Sequence, residues 1–515
     1  MSDALILNLA KPREIKTVSS RRSFFLVVAV LVLTVGAALR TYHLGSRSLW
    51  FDEALTANTS RSTLTHMLDA TRLRGSAPVV HPFILYLVEK VDRSPAAVRT
   101  PSVLASLIAV VVMLAMIRTK ISRNAALFSA SILAVSASQV RYAQEVREYG
   151  LAVLVAASLI YFLLRWEAAG SRSHHPVLLY ALIFFAPLVQ YGLVFFSLAI
   201  LSTIALRLLL TRDTSFRLSN VVIGSIFLVG GGLLSFILTV RYQFHPGQGQ
   251  WYLAANYFDP KATSLVRFLA TNSKGMLSFF IPGQLVTLCL AIGAPIFFFE
   301  QARIRKLNTI TLLLLTSASI AVCASIVRLY PYGGIRQCLF LAPVVTLFSG
   351  VVFADLVRRI TGSRRAMVAV AFVALIFFSG YRGMLRLWPY GEYEDTQSIL
   401  KELAKESAPD DEVWVNHDAV EAVDFYLQGK DPRFIYGSFH RDPNEYIPEV
   451  FGEIDPHRDR VWLVFSHLQQ PSDHFEEQLI VSTLESKWDV HPVITPMNAA
   501  LYVADRRTSL QNTKQ

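Results

Sequence analysis

Apolar runs of membrane-span length recur along the first three quarters of this chain and then stop. Eleven fall at residues 24–39, 98–117, 125–140, 150–164, 176–190, 192–210, 221–240, 276–299, 307–327, 339–357 and 366–380. Each approaches the roughly 20 residues that cross about 30 Å of hydrocarbon. Helices are predicted for them, because every backbone polar group must find its partner inside such a segment. The break at Gln190-Tyr191-Gly192 decides the count, and a tight turn there makes it odd.

Between the first two runs lies a long, more polar stretch, 40–97. It predicts two short interfacial helices, one over 61–70 and one from His81-Pro82 through Val88. A second outer segment is 139–149, and a third, 241–274, carries Trp251, Tyr252, Tyr257 and Phe258, aromatics suited to headgroup level. After residue 385 the pattern changes: 412–417, 460–467 and 499–504 read as strands, 419–427 and 475–488 as helices. Strands alternating with helices predict a small α/β layer. The expected organisation is a cytoplasmic tail over 1–23, a transmembrane core over 24–385 whose outer loop 40–97 bears the interfacial helices, and an extracytoplasmic α/β domain over 386–515.

Composition agrees with a polytopic membrane protein: 53% of residues are hydrophobic and only 17% charged, with a mean hydropathy of +0.41. The net charge of +11 sharpens the topology. Lys11, Arg13, Lys16, Arg21 and Arg22 precede the first run, and further basic clusters stand at Arg118/Lys120/Arg123, Arg212/Arg217, Arg303/Arg305/Lys306 and Arg358/Arg359/Arg364/Arg365. With eleven spans all of these share one side, which the positive-inside rule makes cytoplasmic. The charge is therefore an orientation signal and implies no nucleic-acid partner. The first run is longer than a signal-peptide core and shows no clear cleavage site, so it reads as an anchor. Cys289, Cys323 and Cys338 sit in apolar stretches and read as buried thiols, with neither disulfide nor metal spacing. No phosphate-binding glycine loop, dinucleotide fingerprint or zinc spacing is present, which argues against a nucleotide-sugar donor held in the usual soluble manner.

Candidate chemistry gathers in the outer segments. Leu49-Trp50-Phe51-Asp52-Glu53-Ala54 places two adjacent carboxylates just after the first span. Acids at a membrane face are costly enough to be functional candidates, although acids also favour the first turn of a helix. Glu145, Arg147 and Tyr149 form a second group, His81 and Arg336 two further points. Arg147 beside Glu145 or Glu148 is equally an ordinary ion pair, His81 a helix-entry residue and Arg336 an interfacial cation. His417 and His467 end two predicted strands, where open α/β sheets tend to bind ligands.

The pattern Arg40-x-x-x-Leu44-Gly45-x-x-Ser48-Leu49-Trp50-x-Asp52-Glu53, then His81-Pro82, then Ala143-Gln144-Glu145-x-Arg147-x-Tyr149, resembles the membrane glycosyltransferases of the GT-C superfamily. The nearest branch is similar to bacterial relatives of protein O-mannosyltransferases and lipid A aminoarabinose transferases. The resemblance is clearest over roughly the first 200 residues; Gly334-Ile335-Arg336-Gln337 adds to it. It departs at Phe83, where His-Pro-Pro is common, and at Gln190-Tyr191, where relatives often carry a histidine.

The resemblance implies transfer of a sugar from a polyprenyl-phosphate donor to a hydroxyl of a glycan, lipid or protein at the outer face of a bacterial inner membrane, in cell-envelope glycosylation. Asp52 would be the general base of an inverting reaction, with Glu53 and Glu145 as further catalytic acids. His81, Arg147, Tyr149 and Arg336 would hold the donor and its phosphate. No cofactor is implied, and a divalent metal is not demanded by any carboxylate cluster. A transporter or lipid flippase is the rival reading, with a membrane scaffold as a third. A transporter tends to place charge or broken helices at mid-membrane, often repeated between halves; the acids here lie in outer loops and no internal repeat is visible.

Overall fold

The computed structural model describes residues 13–75, 77–170, 175–211, 216–243, 253–303, 307–362, 364–387, 394–427, 431, 433–438, 440, 445–455, 457–469 and 471–507. Lys11, Arg212, Trp251, Tyr252, Arg305 and Lys306 lie outside them. The chain divides into two compact units. The first contains the described parts of Met1–Tyr42, Ser102–Gln144 and Glu148–Met384; the second those of His43–Pro101, Glu145–Arg147 and Leu385–Gln515.

Helices dominate. In chain order they begin with α1 (Arg13–Thr41), α2 (Phe51–Ser60), α3 (Leu64–Leu73), α4 (Val80–Val88) and α5 (Pro95–Ala115). Next come α6 (Arg123–Val135), α7 (Ala137–Ala143), α8 (Tyr149–Ala169), α9 (His175–Val189), α10 (Leu193–Thr211), α11 (Leu218–Ser235) and α12 (Arg241–Gln243). A further five are α13 (Leu265–Phe280), α14 (Gln284–Arg303), α15 (Thr309–Ile326), α16 (Ala342–Arg358) and α17 (Arg364–Leu387). Among the described residues, eight helical stretches are long and apolar enough to span a membrane, and Phe25–Thr41, Arg123–Val135 and Pro176–Val189 are shorter apolar helices. The chain is an integral membrane protein.

Side-chain burial sorts these helices. Within Arg336–Arg358, 89% of the apolar window is buried, against 17% within Leu218–Gln243, so α16 runs through the interior of its unit while α11 shows its apolar surface outward. Close approach of α16 to α6 requires Gly350, because a Cβ there would collide with Ser129. Arg40, fully buried in the last turn of α1, donates to the carbonyls of Ala134 at 2.7 Å and Leu133 at 3.1 Å. These are terminal carbonyls of α6 that lack a helical partner.

Two expected spans are broken. The run 125–140 divides at Ser136, whose extended backbone (ψ 126°) ends α6 and starts α7. The run 276–299 divides at Ile281-Pro282-Gly283, since proline withholds an amide and Gly283 adopts φ +75°. Met276 therefore belongs to α13 and not to the following span. A polar cap fixes each neighbouring start: Ser122 accepts from the Ala125 amide, Ser264 from Arg267 and Asn308 from Thr311.

The second unit contains a five-stranded sheet of order β2-β1-β3-β5-β4, formed by β1 (Glu412–Val415), β2 (Phe434–Tyr436), β3 (Arg460–Ser466), β4 (Trp488–Ile494) and β5 (Ala499–Arg506). β1 pairs parallel with β2 and β3; β5 pairs antiparallel with β3 and β4. Alternation along the strands supplies two cores. Trp414, Val461, Leu463 and Phe465 pack with Val450 of α20 (Tyr446–Glu453) and with Ile480 and Leu484 of α21 (Pro471–Leu484). Val413, Val415, Trp462 and Val464 pack on the other face with Ile399, Leu400 and Leu403 of α18 (Thr396–Glu406) and Val423 of α19 (Val420–Leu427). The helix expected over 475–488 stops at Leu484, and Trp488 opens β4, where Trp488 and Val490 are buried and Asp489 and His491 exposed.

The outer loop, assigned from sequence to the membrane core, is part of this second unit. Leu49, Ala54, Ala57, Leu85, Val98 and Val146 share a core with Ala422 and Phe425 of α19. The loop also holds one more helix than expected, α2, and the helix expected over 61–70 runs from Leu64, where Thr63 accepts from the His66 amide at 3.2 Å.

Candidate active site

Asp52 and Glu53 occupy the first turn of α2, after Trp50 in an extended conformation. Successive helix residues point about 100° apart, so the two carboxylates enter different surroundings. Glu53 turns inward and is 2% exposed. Its Oε1 accepts from Arg99 Nε at 2.9 Å and from the Val146 amide at 2.8 Å, and its Oε2 from Arg99 Nη2 at 2.6 Å. Arg99 is itself buried and spends its remaining N–H groups on the carbonyls of Leu44, Arg47 and Ser48, at 2.8, 3.0 and 2.9 Å. This paired, fully bonded arrangement clamps 44–53, the start of α5 and 145–147 together.

Asp52 is the open member of the pair. Its side chain is 21% exposed, and its Oδ2 lies 3.6 Å from Nη1 of the buried Arg147. His81, in the first turn of α4, is completely buried, and among the described residues neither ring nitrogen has a hydrogen-bond partner. Burial, aided by the charge of Arg147, pushes its pKa down to about 3, so the ring is neutral at physiological pH. A neutral imidazole retains one N–H donor and one acceptor. Glu145 is buried in the same unit, and its charge acts on Arg99.

The remaining candidates stand in the first unit. Tyr149 opens α8 and packs edge-on against Tyr142, with ring centroids 5.6 Å apart. Arg336, half-buried, starts the tight helical turn Arg336–Leu341 that leads into α16. Two segments singled out in the sequence meet there: Gln190 Nε2 donates to the Gln337 carbonyl at 3.0 Å and to the Tyr330 hydroxyl at 2.8 Å. Gly192 is required beside them, because a Cβ would run into the ring of Phe340. Thus Asp52, Glu53, His81, Glu145 and Arg147 belong to one unit, Tyr149 and Arg336 to the other. Sequence reasoning missed Arg99; a charged residue at the very start of the expected apolar span 98–117 was the available signal.

Residues 76–240 match the family model described as dolichyl-phosphate-mannose-protein mannosyltransferase, about a third of the chain. Among curated protein sequences nothing matches. Solved structures do. ArnT from Cupriavidus metallidurans bound to undecaprenyl phosphate is 15% identical, with a TM-score of 0.53 over 94% of this chain and 98% of that one. The apo oligosaccharyltransferase of Archaeoglobus fulgidus is 12% identical, with a TM-score of 0.55 over 94% of this chain and 75% of that one. The chain thus shares the fold of ArnT and of the archaeal oligosaccharyltransferase. A second form of the archaeal enzyme, AglB in complex with an inhibitory peptide and a dolichol-phosphate, aligns at 11% identity and a TM-score of 0.50 over 96% of this chain and 75% of that one.

Proposed function

We propose that the chain is a glycosyltransferase that moves a sugar from a polyprenyl-phosphate donor to an acceptor hydroxyl on a glycan, lipid or protein, at the outer face of a bacterial inner membrane. The observation that carries this reading is the unequal state of two neighbouring acids: Glu53 is locked by Arg99, whereas Asp52 is open to solvent beside Arg147. The fold supports it, as does the lipid phosphate held by ArnT and by AglB.

Asp52 acts as general base, taking the acceptor proton as its oxygen attacks the anomeric carbon, and attack from the face opposite the lipid phosphate inverts that centre. The departing phosphate needs charge stabilisation, which a planar guanidinium supplies bidentately. Arg147, whose guanidinium lies 3.6 Å from Asp52, is the cation proposed to take up that charge. His81 adds a neutral donor. Glu145 acts as a further acid that orients the bound substrate. Glu53 positions the loop. No step calls for a divalent metal.

The test is incubation of the purified protein in lipid with a panel of polyprenyl-phosphate sugars and acceptors, with and without a chelator, reading release of free polyprenyl phosphate. Release from at least one donor, unchanged by chelation, is expected. Silence across the panel, alongside transmembrane movement of an intact lipid-linked sugar, would replace the transferase with a flippase.

A further inference from the structure

The helix that carries Asp52 has no cap of its own. Trp50 at the N-cap position provides no side-chain acceptor, and the first intrahelical bond is Ala54 to the Trp50 carbonyl at 3.0 Å. That leaves the amides of the opening turn, Phe51 first, to be satisfied from outside the helix. The Phe51 amide donates to Glu394 Oε2 at 2.9 Å, across 343 residues of sequence.

Glu394 is fully buried, and each of its oxygens is occupied. Oε2 also accepts from the Ser466 hydroxyl at 3.3 Å; Oε1 accepts from His467 Nδ1 at 2.5 Å and from Gln469 Nε2 at 3.0 Å. His467 follows the last residue of β3 with φ +65°, a left-handed conformation that a residue bearing a Cβ holds only where its surroundings impose it. Its ring lies 5.3 Å from that of Phe51, so the residue before Asp52 is held through both backbone and side chain. Three more bonds tie the same approach: the Leu49 amide to the Tyr426 hydroxyl at 2.8 Å, Ser48 Oγ to Asp395 at 3.2 Å, and the Gln397 amide to Ser48 Oγ at 3.0 Å.

Three of its four bonds come from residues 466–469, at and just beyond the end of β3, and hold the carboxylate in place; the fourth comes from the amide adjoining the proposed base. An acid at a helix N-terminus is also favoured by the helix dipole. We propose that Glu394 is a positioning residue for Asp52, capping α2 from the C-terminal α/β domain so that the carboxylate of Asp52 is presented in one orientation. The α/β domain is then a working part of the active site. This inference rests on the transferase reading above.

The experiment compares the full-length wild type with Glu394→Ala, Glu394→Gln and Asp52→Asn in lipid. Turnover is read as polyprenyl phosphate release, and hydrogen exchange is followed over 49–56 and over the strands. Misplacement of a reacting group by about 1 Å can cost roughly a hundredfold. Glu394→Ala is expected to lower kcat roughly ten- to a hundredfold with KM for the donor nearly unchanged, and to speed exchange over 49–56 while the strands stay protected. Glu394→Gln keeps a carbonyl oxygen for the Phe51 amide and should recover much of both, and it remains informative should the alanine variant fold poorly. Faster exchange with undiminished kcat would confine Glu394 to a structural role and overturn the proposal, as would unchanged exchange in the alanine variant. An active wild type with a silent Asp52→Asn and a fully active Glu394→Ala would remove the positioning role alone. A wild type inactive on every donor would remove the transferase reading, and the positioning role with it.

Discussion

Asp52 and Glu53 are interchangeable on paper and opposite in the folded chain. Nothing in Trp50-Phe51-Asp52-Glu53 states which acid faces inward; the answer lies 46 residues away in Arg99, and that pairing follows no local spacing. If Glu53 only orients the loop, the sequence alone leads one to expect Glu53→Gln to impair turnover less than Asp52→Asn, with no word on stability. The buried ion pair changes that, because removing one partner leaves the charge of the other uncompensated, at about 3–5 kcal/mol. Glu53→Gln should therefore lower thermal stability markedly in an unfolding experiment, and a variant as stable as wild type would show that Arg99 is satisfied without it. Glu394 was equally hidden, one of three acids (Glu392, Glu394 and Asp395) before a helix, with a target amide 343 residues distant.

At the scale of elements, apolar runs were legible because hydrocarbon thickness sets their length, whereas their interruptions were not. Ser136 and Pro282-Gly283 break runs whose hydropathy continues across the break. Helix α2 escaped notice because ten residues of mixed character carry little periodic signal, and β2 because three residues carry none. The α/β domain also contains a pH-sensitive contact. His417 Nε2 lies 2.9 Å from Asp418 and Nδ1 3.6 Å from Glu476. Burial alone would lower its pKa, but the two carboxylates outweigh burial and raise it from 6.5 to about 9. The folded state thus binds this proton more tightly than the unfolded one. Its stabilisation, at most about 3 kcal/mol, is complete below pH 6.5 and disappears as pH rises through 9. Thermal unfolding followed from pH 6 to 10 should show that loss, and His417→Gln should flatten it; an equal decline in the variant would place the titration elsewhere.

For the whole molecule, composition and basic clusters announced a polytopic membrane protein, and the first-loop motif announced the fold that the structural comparisons display. The sequence did not reveal that the outer loop shares a compact unit with residues from 385 onward, since that association is made by scattered side chains such as Leu85, Val146 and Phe425. The orientation proposed here makes a direct prediction. A reporter fused after Asp505 should behave as extracytoplasmic and one fused near Lys306 as cytoplasmic. A cytoplasmic reading at Asp505 would put Asp52, which belongs to the same unit, on the wrong side for an outer-face transferase.

The central claim is that Asp52 removes the acceptor proton, and turnover of Asp52→Asn against wild type tests it most directly. The substitution nearly preserves shape and removes the proton acceptor, and loss of a positioned general base costs roughly 10²- to 10⁴-fold in rate. At matched expression and matched thermal stability in lipid, the account predicts that Asp52→Asn still binds the polyprenyl-phosphate donor while release of polyprenyl phosphate falls by that factor; near-normal release would contradict it and place the chemistry away from α2.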